Sequence, residues 1–232
     1  MCPNTGSSAS AEPGSRGHRS AIRVAGVDAT GGGWVAIVLE DGRFAQDLVL
    51  RPVETDFAEL AGVQVIAIDI PIGFGPRAAD RLARGCLKGS GSSVFGIPSE
   101  ASFRGPFGPG LGISAQAHAL GPRIRHVTGL ARADVPGRFR EVHPEVSFRA
   151  MNQWRRLVGT KRSGAGSLQR IDLLRQEGID LAGLTSAAAQ PLHDVLDAAA
   201  AAWTAHRVAC GTATCLPDPP ETLEGPPVAI WY

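Results

Sequence analysis

Apolar residues in the first third of the chain fall into short runs separated by polar turns. Four of these runs have the length of β-strands, at 22–28, 34–39, 44–50 and 63–70. Asp41-Gly42, between the second and third runs, is the dipeptide favoured in tight type I′ hairpins. A short amphipathic stretch at 54–61 predicts a helix. The pattern therefore predicts an antiparallel meander of three strands, a helix, and a fourth strand parallel to the first.

This β-β-β-α-β order distinguishes the chain from dinucleotide-binding folds, which begin β-α-β with a glycine-rich loop that opens a helix. Here the glycines at 31–33 join two strands instead. The order is typical of an α/β domain of the ribonuclease H-like type, with a mixed sheet of five strands and flanking helices. In such a sheet the first and fourth strands are neighbours.

The remainder of the chain alternates between helical and irregular patterns. Further elements are predicted as helices at 77–87, 167–176 and 192–208, a helix that begins at 144, a strand at 139–143 and an edge strand at 227–232. A segment at 90–112, rich in Gly, Pro and Ser, predicts a loop within an irregular insertion at about 72–137. Residues 1–20 have the composition of a disordered tail, which leaves 21–232 as a single domain.

Composition restricts the class of protein further. No apolar run reaches the ~20 residues that a membrane helix needs. Residues 1–20 also lack the apolar core of a secretory signal. The four cysteines form no C-x-x-C pair, which argues against a zinc site and against a disulfide framework. We therefore expect a cytoplasmic protein without a membrane partner.

Charge is unevenly distributed, although the formal net charge is only +1. Residues 76–175 contain 17 Lys and Arg but 6 Asp and Glu, so the rest of the chain is acidic. A basic middle segment beside a cluster of acids is suited to a polyanion such as nucleic acid. Arginines spread over a solvated surface would give the same count, so composition alone does not decide between the two.

Four aspartates stand where the predicted elements would bring them together. Asp28 and Asp69 end buried apolar strands, and Asp194 and Asp197 lie one turn apart at the start of a helix. Buried carboxylates repel one another unless a cation pairs with them. Oxygen donors of this kind are ligands of Mg²⁺ or Mn²⁺, which activate water for phosphodiester hydrolysis. Singly, each aspartate is also explained as a turn, strand-end or helix-start residue.

Other polar residues are weaker candidates. An additional carboxylate or proton-transfer group is expected among Glu141, His143 and Glu145. Glu145 is equally expected in the first turn of a helix that begins at Pro144. Seven residues suit the binding of substrate phosphate, or else belong to a solvated surface: Arg77, Arg81, Arg84, Ser92, Ser93, Lys161 and Arg170.

Five short motifs resemble those of the DUF429 family, described as predicted nucleases of the ribonuclease H-like fold. They are Gly26-Val27-Asp28 with Gly33-Trp34, Ile68-Asp69-Ile70-Pro71-Ile72-Gly73, Ser92-Ser93-Val94-Phe95, Glu141-Val142-His143-Pro144-Glu145 and Asp194-Val195-Leu196-Asp197-Ala198. The last motif also resembles the final helix of Holliday-junction resolvases. The resemblance implies a metal-dependent nuclease whose ligands are Asp28, Asp69, Asp194 and Asp197.

Two other classes of function stay open at the level of sequence. Actin-like sugar kinases share this strand order and have a glycine-rich turn after their first aspartate, so phosphate transfer or nucleotide binding is one alternative. A non-catalytic nucleic-acid-binding protein is the other, although such a protein would have no need to keep four acids.

Overall fold

The computed structural model describes residues 20–87, 94, 96–109, 111, 113–134, 137–222 and 227–232. The predicted tail at 1–20 lies outside these ranges apart from its last residue, and so do Ser92 and Ser93. Within the described ranges, none of the helices has the length and apolar character needed to cross a membrane.

One open, mixed sheet organises the described residues. Its strands are β1 (Arg23–Thr30), β2 (Gly33–Glu40), β3 (Arg43–Leu50), β4 (Val65–Ile68), β5 (Phe139–Val142), β6 (Cys215–Glu221) and β7 (Val228–Trp231). They lie in the order β3-β2-β1-β4-β5-β7-β6. The predicted antiparallel meander is confirmed for β1, β2 and β3. The parallel pairing of β1 with β4 is confirmed as well.

The sheet has seven strands, so the expectation of five is wrong. β5 and β7 continue the parallel part of the sheet, and β6 pairs antiparallel to β7 at the edge. The segment predicted as an edge strand is therefore the second from the edge. β6 has the sequence CLPDPPE, and its three prolines lack the N–H donors of a central strand. This composition hid the strand, but it suits an edge position.

Six α-helices accompany the sheet in the described part of the chain. They are α1 (Ala78–Cys86), α2 (Ala115–Ala119), α3 (Gly121–Ala133), α4 (Pro144–Met151), α5 (Gly164–Gln176) and α6 (Leu192–Ala209). The helix predicted at 54–61 is only a 3-10 turn, Ala58–Leu60. The side chains of Thr55 and Asp56 accept hydrogen bonds from the N–H groups of Phe57 and Ala58, two residues further on, and stabilise a turn instead. The segment 72–137 contains α1, which agrees with the helix predicted at 77–87, and also α2 and α3, which were not predicted.

Two apolar layers cover the two faces of the sheet. Alternate residues of β2 point to opposite faces, as the pleat requires. Val35, Ile37 and Leu39 pack into the layer formed with α4, α5 and α6. The intervening residues of β2 pack into the other layer, which includes Ile124 and Val127 of α3. A strand buried on both faces explains the continuous apolar run of the sequence.

α6 lies directly against β1, with almost no side chain between the two backbones. A Cβ atom at Gly26 would overlap the backbone of Ala198 and Ala202. Small residues on both sides therefore allow this approach, and the alanines of α6 are fully buried from Ala198 to Ala202. The contact fixes the N-terminal half of α6 beside the carboxyl end of β1.

Candidate metal centre

Three carboxylates meet at the carboxyl ends of two parallel strands. Asp28 lies near the end of β1, Asp69 directly follows β4, and Asp197 lies in the second turn of α6. One carboxylate oxygen from each lies within 4.8 Å of the others. Asp28 and Asp197 are buried, and Asp69 is half-buried. We call these three residues the aspartate triad.

The backbone accounts for this convergence. Val27 of β1 pairs with Ile68 of β4, so the residue that follows in each strand is one of the two acids. The N–H of Asp69 continues this ladder by donating to the carbonyl of Val27, at 2.9 Å. Asp197 immediately precedes Ala198, where α6 lies against β1. Pairing of β1 with β4 and packing of α6 thus position the triad without a long loop.

Burial and mutual repulsion raise the acid pKa values of the triad. For Asp28, burial is the main cause of a pKa well above the usual value, and the charges of Asp69 and Asp197 add to it. Burial also raises the pKa of Asp69 and that of Asp197 to about 7, against the opposing effect of Lys161. The metal-free triad therefore resists carrying three negative charges near neutral pH.

Lys161 is the basic residue in contact with the triad. Its Nζ donates to Oδ2 of Asp197 in an ion pair. Burial disfavours the charged ammonium, but the Asp197 carboxylate outweighs this and raises the pKa of Lys161. The sequence placed Lys161 among residues for substrate phosphate, whereas the structure places it against a predicted metal ligand.

The donor set fits a divalent cation. The Oδ1 atom of Asp197 is buried and has no hydrogen-bond partner among the described residues. An orphaned, buried carboxylate oxygen is costly, and a metal ion would satisfy it. Three carboxylates that offer oxygens at this spacing could hold a metal ion, and oxygen donors are the ligands that hard cations prefer.

Asp194, the fourth predicted aspartate, lies outside the triad. It is half-buried in the first turn of α6, and its Oδ1 atom lies 3.2 Å from Nε2 of His193. The charge of Asp194 raises the pKa of Asp28 less than burial and the charges of Asp69 and Asp197 do. A separation of three residues rotates a helical side chain by about 60° and displaces it by ~4.5 Å along the axis. The structure thus brings three of the four aspartates together.

Glu141 and Glu145, predicted as additional acids, are held by arginines. Both oxygens of Glu141 accept from Arg77, at 2.6 and 2.8 Å, and its Oε2 also accepts from the N–H of Ile72 at 2.7 Å. Glu145 accepts two hydrogen bonds from Arg170, at 2.6 and 2.9 Å. Their carboxylates are engaged in internal ion pairs. His143, the third candidate, is half-buried and lines the same cavity as the triad.

The arginines predicted to bind phosphate divide into two groups. The side chains of Arg77 and Arg170 are each only 1% exposed, and both are engaged with acids, so neither presents a guanidinium group to a ligand. Arg81 is exposed, and Arg84 donates to the carbonyl of Val94. Arg77 does not lie on α1 with Arg81 and Arg84, because it precedes the helix and its side chain is buried against acids.

Among the acids that line the same cavity as the triad, Asp80 was not predicted from the sequence. Asp80, in the first turn of α1, forms ion-paired hydrogen bonds with Arg77 and accepts from the N–H of Ile97. Arg77 therefore joins Asp80 to Glu141, two acids that lie far apart in the sequence. The spacing of three residues between Arg77 and Asp80 was the available signal, but it is common on helix surfaces.

These groups surround one cavity of about 530 Å³. The triad and Lys161 line this cavity. Arg77 with its partners Asp80 and Glu141, and Arg170 with its partner Glu145, line it as well. Gly159 and Thr160, in the loop that precedes α5, complete the wall beside Lys161. Its size lies in the range of cavities that hold small ligands, and its polar groups converge on the triad.

Comparison with known proteins gave a single finding. A family described as "Protein of unknown function (DUF429)" matches residues 26–222. The comparisons with curated proteins and with solved structures returned no match. The matched segment covers well over half of the chain and includes the whole triad and Lys161. The chain therefore belongs to the DUF429 family.

Proposed function

We propose that this protein is a metal-dependent phosphodiesterase that hydrolyses nucleic acid. The observation that carries the proposal is the triad of Asp28, Asp69 and Asp197, whose oxygens lie within 4.8 Å of one another. Asp28 and Asp197 lie within regular elements, and Asp69 directly follows one, which suits a site that must hold its geometry during turnover.

The strand order supports a ribonuclease H-like fold as part of this proposal. The first five positions in the sheet are β3-β2-β1-β4-β5, with the meander antiparallel and the remaining strands parallel to β1. The candidate ligands lie at the carboxyl ends of β1 and β4, which is where open α/β sheets bind their ligands.

Each residue of the site has a separate proposed role. Asp28, Asp69 and Asp197, the last through its orphaned Oδ1, would hold Mg²⁺ or Mn²⁺. Such an ion would supply a water of lowered pKa as nucleophile and would stabilise negative charge on phosphate oxygens. Arg77 and Arg170 fix the surrounding acids Glu141 and Glu145 and so keep the wall of the cavity rigid.

The basic character of a loop that lines part of the cavity supports an anionic substrate. The loop between α4 and α5, residues 152–163, contains Lys161 and three exposed arginines, Arg155, Arg156 and Arg162. Arg81 on α1 is exposed as well. Exposed basic side chains on a loop that reaches the triad through Lys161 are suited to a phosphate backbone, and salt would weaken such binding.

The test is a cleavage assay with the full-length protein and Mn²⁺ on single-stranded, duplex and branched DNA and RNA. We expect cleavage that EDTA abolishes, and a loss of at least about 100-fold in Asp28→Asn and in Asp69→Asn, since each removes a charged ligand. Asp172→Asn, which alters an exposed acid on α5, is the matched control and keeps full activity. Circular dichroism establishes that each variant is folded.

Unchanged cleavage in both ligand variants would overturn the proposal. Hydrolysis of a small phosphodiester such as bis(p-nitrophenyl) phosphate, without cleavage of any polymer, would retain metal-dependent hydrolysis and reject nucleic acid as substrate.

A further inference from the structure

Lys161 differs from the other cations that line the cavity. Arg170 pairs with Glu145, and Arg77 pairs with Asp80 and Glu141, so the charges of these arginines are committed to acids outside the triad. Lys161 instead contacts the triad itself, at Oδ2 of Asp197. Its charge also acts on Asp28 and Asp69.

The loop around Lys161 is built closely enough to hold this position. The carbonyl of Lys161 accepts a hydrogen bond from Oγ of Ser167 at 3.0 Å, and that of Thr160 accepts from Oγ of Ser163 at 2.9 Å. A Cβ atom at Gly166 would overlap the carbonyl of Thr160, so the start of α5 packs directly on this loop. These contacts hold the backbone of Lys161 in place, so its side chain reaches the triad from a well-packed loop.

We propose that the ammonium group of Lys161 takes the place of a second metal ion, so that the centre holds one divalent cation. This inference rests on the proposed function, because it concerns the same site. Three carboxylates have a formal charge of −3, and one ammonium leaves −2, which one divalent cation neutralises. A second divalent cation beside the lysine would give the contacting groups a net positive charge in a poorly solvated site.

The two carboxylate oxygens of Asp197 have different surroundings, which separates the position of the ammonium group from that of the metal ion. Oδ2 is occupied by Lys161, and Oδ1 has no hydrogen-bond partner among the described residues. The orphaned oxygen is the one available to an ion shared with Asp28 and Asp69. Lys161 thus acts as a positioning residue that orients Asp197 and limits the number of ions.

The test measures the binding of Mn²⁺ alone to the full-length, metal-free protein by titration calorimetry. We expect one ion per wild-type chain. Lys161→Met keeps an unbranched side chain, one atom shorter, but removes its charge, so we expect Mn²⁺ affinity to rise at least tenfold, equivalent to about 1.4 kcal/mol. Arg162→Met is the matched control, because it removes the same charge from the exposed neighbouring residue, and its affinity stays close to that of the wild type.

The Lys161 side chain is 36% exposed, so its replacement is expected to leave the fold intact, and Lys161→Gln provides a second neutral variant. Two ions per wild-type chain, or unchanged or weaker affinity in both neutral variants, would overturn the role of Lys161 while leaving the metal site in place. An ion bound only by the neutral variants would also overturn it, since the lysine would then exclude metal altogether. Absence of Mn²⁺ binding by every variant would reject the inference and the proposed function together.

Discussion

Replacement of Asp69 by Asn provides a direct test of the electrostatics of the triad. Asparagine has nearly the same shape but no charge, so the change removes repulsion among buried carboxylates. Burial raises the pKa of Asp69 in the folded protein to about 7, whereas an Asp in an unfolded chain titrates near pH 3.9. We therefore expect Asp69→Asn to stabilise the metal-free protein at pH values above about 7.

The magnitude follows from proton linkage. Between about pH 4 and about pH 7 the folded protein retains a proton that the unfolded chain has released, so rising pH destabilises the native state. The cost is up to ~1.4 kcal/mol per pH unit for one such group, or at most about 3 kcal/mol between about pH 5 and about pH 7. The three carboxylates titrate together, so the benefit of Asp69→Asn at about pH 8, relative to about pH 5, is about 1–3 kcal/mol.

The assay is urea unfolding in EDTA at about pH 5 and about pH 8, with Asp172→Asn as the exposed control. Mn²⁺ at about pH 8 should stabilise the wild type more than Asp69→Asn, because the variant lacks one charged ligand. A variant that is no more stable than the wild type at about pH 8 would refute the reasoning, since the triad would then carry no electrostatic strain.

Two further predictions concern the structure around the site. Gly26→Ala inserts a methyl group between β1 and α6 and is expected to lower the free energy of unfolding by about 2 kcal/mol or more in urea titrations, whereas Gly31→Ala, in open space, has little effect. Similar stability of the two variants would contradict the close contact. Arg170→Met leaves Glu145 without its cation and is expected to cost about 3–5 kcal/mol, against less than about 1 kcal/mol for Arg175→Met in an exposed pair. Both variants are measured by thermal and urea unfolding. If Arg170→Met and Arg175→Met lost the same free energy of unfolding, burial of the Arg170 pair would not increase its contribution to stability.

The meander and its turns were accessible from sequence because local chemistry determines them. Asp41 and Gly42 have φ angles of 48° and 79°, as expected for the type I′ turn that this dipeptide favours. The apolar runs of β1 and β4 predicted that both strands are buried, and their pairing placed Asp28 beside Asp69. Two members of the triad could therefore be predicted from hydrophobic pattern and topology alone.

The remaining features depend on contacts between distant segments, which a single sequence does not display. Arg77 and Glu141 lie 64 residues apart, and Lys161 and Asp197 lie 36 apart, yet each pair forms an ion pair. Helical spacing suggested that Asp194 and Asp197 would act together, but the rotation of α6 against β1 brings only Asp197 into the triad. The prolines of β6 concealed a strand whose edge position tolerates them.

The backbone contact at Gly26 also bears on how this sequence can vary. Because β1 and α6 meet without intervening side chains, the distance between Asp28 and Asp197 does not depend on the size of the surrounding aliphatic residues. Exchanges among Val, Ile and Leu elsewhere in the two apolar layers can alter stability while the acids keep their spacing. A larger side chain at Gly26 or at the alanines that face it would instead move α6 relative to β1 and so separate the acids. The geometry of the site therefore depends on the absence of side-chain atoms at Gly26, as well as on the carboxylates themselves.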